Sequence, residues 1–169
     1  MPNTTFSWIC LIFLSFGLLS ACDEDPDLGE AQFPEGQIWA TIENTFFRFD
    51  TPGGLRPQDA NGYVAANQFV NITRQTSERF YGVAQIRLLR TQLEDLTYPA
   101  TLSENFVFTF RPEPNVAFTG RDGSVQILLE RFEDDLLEGT FSGTIRNEDN
   151  PGQALLVREG RFKIRLLRF

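Results

Sequence analysis

Two adjacent pairs of acids, Asp134-Asp135 and Glu148-Asp149, are the side chains in this sequence best suited to acid–base chemistry. Two carboxylates held at the right separation can hydrolyse glycosidic bonds. Both pairs, however, lie in segments that we predict to be turns, where Asp is favoured because its carboxylate hydrogen-bonds to nearby backbone. Neighbouring acids in a turn point into solvent, so we interpret both pairs as structural.

Other catalytic and metal-binding groups are scarce. The chain contains no histidine, which removes the usual general base and the commonest metal ligand. Ser142 lies in Phe-Ser-Gly rather than in the Gly-x-Ser-x-Gly turn of hydrolases. Asp149-Asn150 followed by Gly152 lacks the spacing of an EF-hand calcium loop. The sequence therefore predicts a non-enzymatic protein with no catalytic residue, no metal and no cofactor.

Cys22 is the residue whose setting predicts a specific modification. It follows Leu18-Leu19-Ser20-Ala21, at the end of an apolar run from Phe6 to Leu19, and acidic residues begin directly after it. This layout is typical of a secretory signal peptide. The run is too short for the roughly 20 residues of a membrane-spanning helix. Because residues 1–21 carry no charge, they also lack the polar face of a packed amphipathic helix.

The segment Leu-x-Ser-Ala-Cys closely resembles the bacterial lipobox. That resemblance implies cleavage before Cys22, removal of residues 1–21 and lipidation of the Cys22 thiol. It also implies two or three acyl chains, which would anchor the protein durably, whereas a single chain binds a bilayer reversibly. Residues 1–5 depart from the pattern because they carry no Lys or Arg, so either the true start lies upstream or the signal is atypical.

The residues after Cys22 are strongly acidic. Asp23-Glu24-Asp25-Pro26-Asp27 resembles the export signal of Bacteroidota surface lipoproteins, which directs its relatives to the outer face of the outer membrane; a plain solvated spacer is the alternative. Residues 22–36 are predicted to form an extended, disordered tether, because they carry six acids and no base. We therefore expect lipid anchoring to the outer membrane through Cys22, facing the periplasm or the cell surface.

The remaining residues, 37–169, are long enough for one domain with its own core. The formal charge of −8 argues against a nucleic-acid partner. We expect instead the membrane itself, through the anchor, and either a glycan or an envelope protein. No disulfide is expected, since Cys10 leaves with the signal peptide and Cys22 is lipidated.

Apolar and polar residues alternate from Gln37 onward, with Gly, Asn, Asp and Pro between the alternating runs. This pattern predicts an all-β domain, either an antiparallel β-sandwich or a partly closed β-barrel of about nine strands. The predicted strands span residues 37–42, 45–49, 63–74, 79–90, 105–110, 116–119, 124–132, 137–146, 154–157 and 162–166.

Connections between these strands are also predicted. Residues 50–62 should form a long irregular loop, and one or two helical turns should fall within residues 88–96. Residues 111–114 contain two prolines and should end a strand, whereas Gly120-Arg121-Asp122-Gly123 should close a hairpin. Glu159-Gly160 should separate the last two strands. Gly139 and Gly143 should leave room for aromatic rings beside them.

Three short patterns together resemble uncharacterised small all-β lipoproteins of the Bacteroidota. These are the Gly-Gln-Ile-Trp opening at Gly36, the Gly-Thr-Phe-Ser-Gly strand at Gly139 and the Glu-Gly-Arg-Phe segment at Glu159. The resemblance implies the fold and the cellular location, and it implies no molecular function.

Aromatic residues give the first candidate binding site. Trp39 and Tyr98 have the flat amphipathic rings that suit sugar stacking at a half-wet surface, although such rings also cap cores. Trp39 is predicted to share a strand face with Thr41 and Glu43. A carrier of apolar ligands is a further alternative, if the strands enclose an unfilled interior.

Basic residues give the second candidate site. Arg161, Lys163 and Arg165 alternate with apolar residues, so three cations should line one face of the last strand. Arginine and lysine there could bind an anionic glycan or a phosphate headgroup. The preferred interpretation is a solvated strand face whose charges discourage edge-to-edge pairing.

Overall fold

The computed structural model describes residues 33–54, 57–64, 69–77, 82–89, 93–121 and 123–169. The predicted signal peptide, Cys22 and most of the predicted tether lie outside these ranges. A compact body spans Pro34–Phe169. No helix in the described part of the chain has the length and apolar character needed to span a bilayer.

The body is almost entirely β. Four of the thirteen strands in the described ranges have only two or three residues, so nine longer strands remain, in line with the predicted number of about nine. The strands are β1 Gln37–Ile42, β2 Thr45–Phe49, β3 Thr51–Pro52, β4 Gly62–Val64, β5 Phe69–Gln75, β6 Val83–Leu88, β7 Ala100–Leu102, β8 Phe106–Glu113, β9 Val116–Gly120, β10 Val125–Glu133, β11 Leu136–Asn147, β12 Ala154–Arg165 and β13 Leu167–Arg168. A helix α1, Pro57–Asn61, and a 3₁₀ turn, Leu93–Asp95, complete the described elements.

The strands form one nearly closed, barrel-like sheet. Its order runs β5-β6-β8-β9-β11-β12-β1-β2. Short strands link β5 and β2, the two ends of this order. β3 follows β2 after Asp50 and pairs with β5. On the other side of the ring, β13 follows β12 after Leu166 and pairs with β4, which also pairs with β5. Of the two predicted architectures, the structure has the nearly closed barrel, and among the strands it describes every pairing except β13–β4 is antiparallel.

β9 and β10 do not form the predicted hairpin. They lie one after the other along β11: Thr119 pairs with Arg146, whereas Val125 pairs with Gly143. The chain therefore turns a corner over β11. Gly143 has a φ of +147°, and a Cβ there would lie 2.3 Å from the carbonyl oxygen of Ser124. Gly143 thus accommodates the backbone at this corner, and the prediction that it leaves room for a ring is wrong.

Three other predicted boundaries change. The predicted strand 63–74 is two antiparallel strands, β4 and β5, and the predicted irregular loop contains β3 and α1. β8 runs three residues past its predicted end, through Pro112 and a register shift, and ends at Glu113, directly before Pro114. Such irregularities are where a strand tolerates proline, since a paired N–H is not required there. The predicted hairpin β1–β2 and the single helical turn at Leu93–Asp95 are confirmed.

Glu159-Gly160 does not separate two strands. It forms a bulge within the continuous strand β12, where Glu159 has a positive φ of 51°. The bulge shifts the register of β12 against both of its neighbouring strands. Against β11, Phe141 pairs with Gly160 but Gly143 pairs with Val157. Against β1, Trp39 pairs with Arg161 but Thr41 pairs with Arg158. The extra residue keeps the side chains before and after the bulge in phase with the core.

Phenylalanine rings fill much of the interior. Those of Phe49, Phe106, Phe108 and Phe162 are at most 1% exposed. The ring of Phe108 lies 4.6 Å from that of Phe141, centroid to centroid. Gly139 leaves room for a ring, as predicted, because a Cβ at Gly139 would lie 2.7 Å from Cζ of Phe162.

Arg74 connects the start of the compact body to the barrel strands through hydrogen bonds. This side chain is buried, and its guanidinium donates to the carbonyl oxygens of Gly36, Ala60 and Thr73 at 2.6, 2.7 and 2.9 Å. Burial lowers the pKa of Arg74 to about 10. Gly36 also donates its N–H to the carbonyl oxygen of Lys163. The compact body consequently begins at Pro34, three residues before the predicted boundary.

Candidate functional site

A groove of about 690 Å³ crosses the outer face of the sheet. Cross-strand pairs define its floor: Trp39 lies opposite Arg161, Arg161 opposite Thr140, Thr140 opposite Leu128, and Leu128 opposite Thr101. This row runs through β1, β12, β11, β10 and β7. A second row beside it places Phe46, Thr41, Glu159, Ser142 and Gln126 along the groove.

The aromatic end of the groove is held in a fixed arrangement. The indole N–H of Trp39 donates to Oε1 of Gln37 at 2.7 Å. The Phe46 and Trp39 rings meet edge to face, with 5.7 Å between their centroids and an interplanar angle of 79°. Phe46 is 59% exposed, whereas many of the other phenylalanine rings described are buried in the core. Because both rings are positioned before any ligand arrives, stacking would require little further ordering.

The bulge in β12 supplies the charged groups of the groove. It places Arg158 and Glu159 consecutively on the outer face, and Gly160 then returns to the inside before Arg161. Glu159 and Arg161 both line the groove, next to the hydroxyl groups of Thr140 and Ser142. The groove therefore offers apolar ring surface, hydroxyl groups, one carboxylate acceptor and one guanidinium donor.

Of the three predicted cations, only Arg161 lines this groove. Lys163 lies 3.0 Å from the carboxylate of Glu138, and Arg165 lies 2.9 Å from that of Glu35. Burial by itself would raise the pKa of Glu138, but hydrogen bonds from Arg131 and Lys163 outweigh it and hold that pKa below its ordinary value. Most of the predicted basic strip is thus neutralised by the protein's own acids.

Tyr98 does not join Trp39. Its hydroxyl donates to the carbonyl oxygen of Leu93 at 2.8 Å, and it lines a separate polar cleft with Asp135 and Arg168. Arg168 in turn lies between the carboxylates of Glu94 and Asp135. The two aromatic residues proposed from the sequence therefore belong to different parts of the surface.

The acid pairs occupy structural positions. Asp134 and Asp135 both have positive φ and form the two-residue turn between β10 and β11, as expected for a tight hairpin. Glu148 accepts a hydrogen bond from the hydroxyl of Thr119 at 2.6 Å. Within the described ranges, no cluster of acids and cysteines is suited to holding a metal ion.

The interior that an apolar ligand would need is largely occupied. Tightly packed side chains converge there from strands on all sides of the ring, including Ile38, Ile72, Ile86, Ile127 and Leu137. The groove and the Tyr98 cleft, in contrast, both open to solvent. The surface groove is accordingly the better candidate for a ligand site.

The chain matches no protein-family model, no curated protein and no solved structure. The candidate site therefore rests on its geometry. Sequence reasoning identified Trp39 and Arg161 but missed Phe46 and Glu159. Alternation could have assigned Phe46 to the outer face, since its neighbours Phe47 and Phe49 have the inward period. Glu159 could not be found in this way, because the bulge breaks the alternation.

Proposed function

We propose that this protein is a non-enzymatic binding domain, anchored to the outer membrane by lipid on Cys22, and that the Trp39 groove is its ligand-binding surface. The observation that carries the binding role is the positioned pair of Trp39 and Phe46 at one end of a groove that also presents hydroxyl and charged groups. An aromatic surface with a few directed polar groups is the usual composition of a ligand site.

The groove favours binding over catalysis. Among its described lining residues, Glu159 is the single carboxylate, whereas glycoside hydrolysis ordinarily uses two. Ser142 also lines the groove, but a serine nucleophile needs an adjacent base, and the sequence contains no histidine.

The anchor is supported by the sequence around Cys22. We expect the full-length chain, expressed in a Gram-negative host, to be recovered in the membrane fraction with a diacylglyceryl thioether on Cys22. Mass spectrometry of the N-terminal peptide measures this directly. The Cys22→Ser variant should remain unacylated. An unmodified Cys22 in the mature wild-type protein would overturn the anchor.

The binding role is tested by crosslinking in intact cells. A photoreactive phenylalanine analogue at Phe46 suits the purpose, because that ring is exposed and lines the groove. The matched control carries the same analogue at Asn115, an exposed residue in the β8–β9 turn that does not line the groove. We expect one defined adduct at Phe46 that disappears in the Trp39→Ala background. Equal labelling at both positions, or none at Phe46, would refute the groove as the binding surface.

A further inference from the structure

We infer that the ligand of the Trp39 groove is a neutral glycan chain lying across the strands, with Trp39 stacked on a sugar ring and Glu159 and Arg161 bonded to its hydroxyl groups. This inference rests on the proposed function and specifies the ligand class for the same site.

The shape of the groove favours a chain-like ligand. Its lining residues come from six consecutive strands, β7, β10, β11, β12, β1 and β2. At about 4.8 Å per strand, five spacings give a track of roughly 24 Å along the sheet. The groove is open to solvent, so a chain could lie along this track.

The position of the groove disfavours an extended peptide. A peptide that adds to a sheet binds an exposed edge through backbone hydrogen bonds. β12, β11 and β10 form the middle of the groove, and each of them is paired on both sides. Their backbone groups are therefore committed to neighbouring strands. A ligand on this face has to be recognised by side chains.

The charge of the groove favours a neutral ligand. Its described lining residues carry one negative charge, on Glu159, and one positive charge, on Arg161. Of the other cations on β12, Lys163 and Arg165 are paired with carboxylates, and Arg158 lies on the outer face opposite Thr41 without lining the groove. The chain as a whole carries a formal charge of −8, which repels polyanions. An acidic glycan would meet no surplus of positive charge here.

The chemistry of the lining matches that of a sugar. A pyranose ring has an apolar C–H face and a rim of hydroxyl groups, each of which both donates and accepts hydrogen bonds. The Trp39 ring supplies an apolar face, Glu159 accepts, Arg161 donates, and the Thr140 and Ser142 hydroxyls do both. A lipid tail would leave these polar groups without partners, which is unfavourable.

The experiment uses the processed lipoprotein, extracted from membranes into a detergent whose headgroup contains no sugar. The sequence has two tryptophans, and Trp8 lies within the residues predicted to be removed, so emission of the mature protein reports on Trp39. Oligosaccharides of neutral β-glucan, mannan and xylan are titrated beside those of acidic polygalacturonate. We expect saturable binding of at least one neutral series, with a Kd that changes less than about twofold up to 0.5 M salt.

Variants then identify the contacts by isothermal titration calorimetry. Trp39→Ala should weaken binding about tenfold or more, and Glu159→Gln and Arg161→Gln each about fivefold, as expected for central aromatic and charged groups. Tyr98→Phe, an aromatic change outside the groove, should leave the Kd unchanged. Trp39→Phe controls for misfolding of Trp39→Ala. It keeps an aromatic ring, so its affinity for the glycan should fall less than that of Trp39→Ala.

Distinct results would overturn the inference. Tighter, salt-sensitive binding of polygalacturonate that is lost in Arg161→Gln would replace a neutral ligand by an acidic one. No binding of any glycan, together with a specific adduct at Phe46, would refute the glycan and keep the binding surface. The absence of both would refute the proposed function as well.

Discussion

Replacing Gly139 with alanine tests the packing beneath the groove. Gly139 on β11 lies directly opposite Phe162 on β12. A Cβ at Gly139 would come within 2.7 Å of the Phe162 ring and 2.5 Å of the carbonyl oxygen of Leu128. Neither neighbour can yield easily, because Phe162 is 1% exposed and Leu128 belongs to the paired strand β10.

The expected effect follows from these two contacts. Inserting a methyl group into a well-packed core typically costs about 1–3 kcal/mol. Because one of the clashes involves backbone, we expect the upper end, about 3 kcal/mol in the free energy of unfolding. For a body of this size, each kcal/mol shifts Tm by roughly 3–5 °C, so Gly139→Ala should melt roughly 10 °C below the wild type.

Thermal and urea unfolding of the processed protein measure this difference. Gly152→Ala is the matched control, because the nearest atom to a Cβ there is 3.4 Å away and its φ is not positive. We expect the control to melt within about 2 °C of the wild type. The same result for Gly139→Ala would show that the close packing of Gly139 against Phe162 is not part of the folded protein.

Further outcomes concern three charged residues. Arg74→Met should lower the free energy of unfolding in urea by about 3 kcal/mol, because backbone carbonyl oxygens lose their donors, and Arg74→Lys should recover only part of it; equal stability of all three proteins would contradict this. Since the pKa of Glu138 is lowered in the folded state, the stability that this carboxylate adds is present above its ordinary pKa of 4.5 and is lost as the pH falls through the lowered pKa. The stability gap between wild type and Glu138→Gln should therefore narrow as the pH falls below 4.5 and through the lowered pKa, and a constant gap would refute the assignment. Glu159→Gly should raise Tm by a few degrees, because glycine adopts positive φ without the strain of roughly 1 kcal/mol, yet it should weaken glycan binding.

The all-β class and several strands followed from alternation alone. The β1–β2 hairpin was predicted to the residue because Ile38, Ala40 and Ile42 face the core at a period of two. Alternation did not predict how β9 and β10 pair. A Gly-Arg-Asp-Gly segment between two strands suits a hairpin, but here both strands pair with β11, and that choice depends on the length of β11 rather than on the turn.

The candidate site was only partly predictable for a related reason. Trp39 and Arg161 share a row because β1 and β12 are neighbours, although more than a hundred residues separate them in sequence. Tyr98 looked equivalent to Trp39 by residue type, but the chain places it beside Leu93. Residue chemistry can nominate such side chains, whereas strand order decides which of them meet.

The bulge in β12 explains why a groove exists at this place. Val157 and Phe162 both face the core, yet five positions separate them, and a regular strand would put them on opposite faces. One extra residue has to be accommodated between them, and the core leaves it no space inside. It is therefore expelled to the outer face at Glu159, next to Arg161 and opposite the Trp39 strand. The spacing of the core residues thus imposes the bulge, and the bulge places a carboxylate and a guanidinium in the proposed ligand groove.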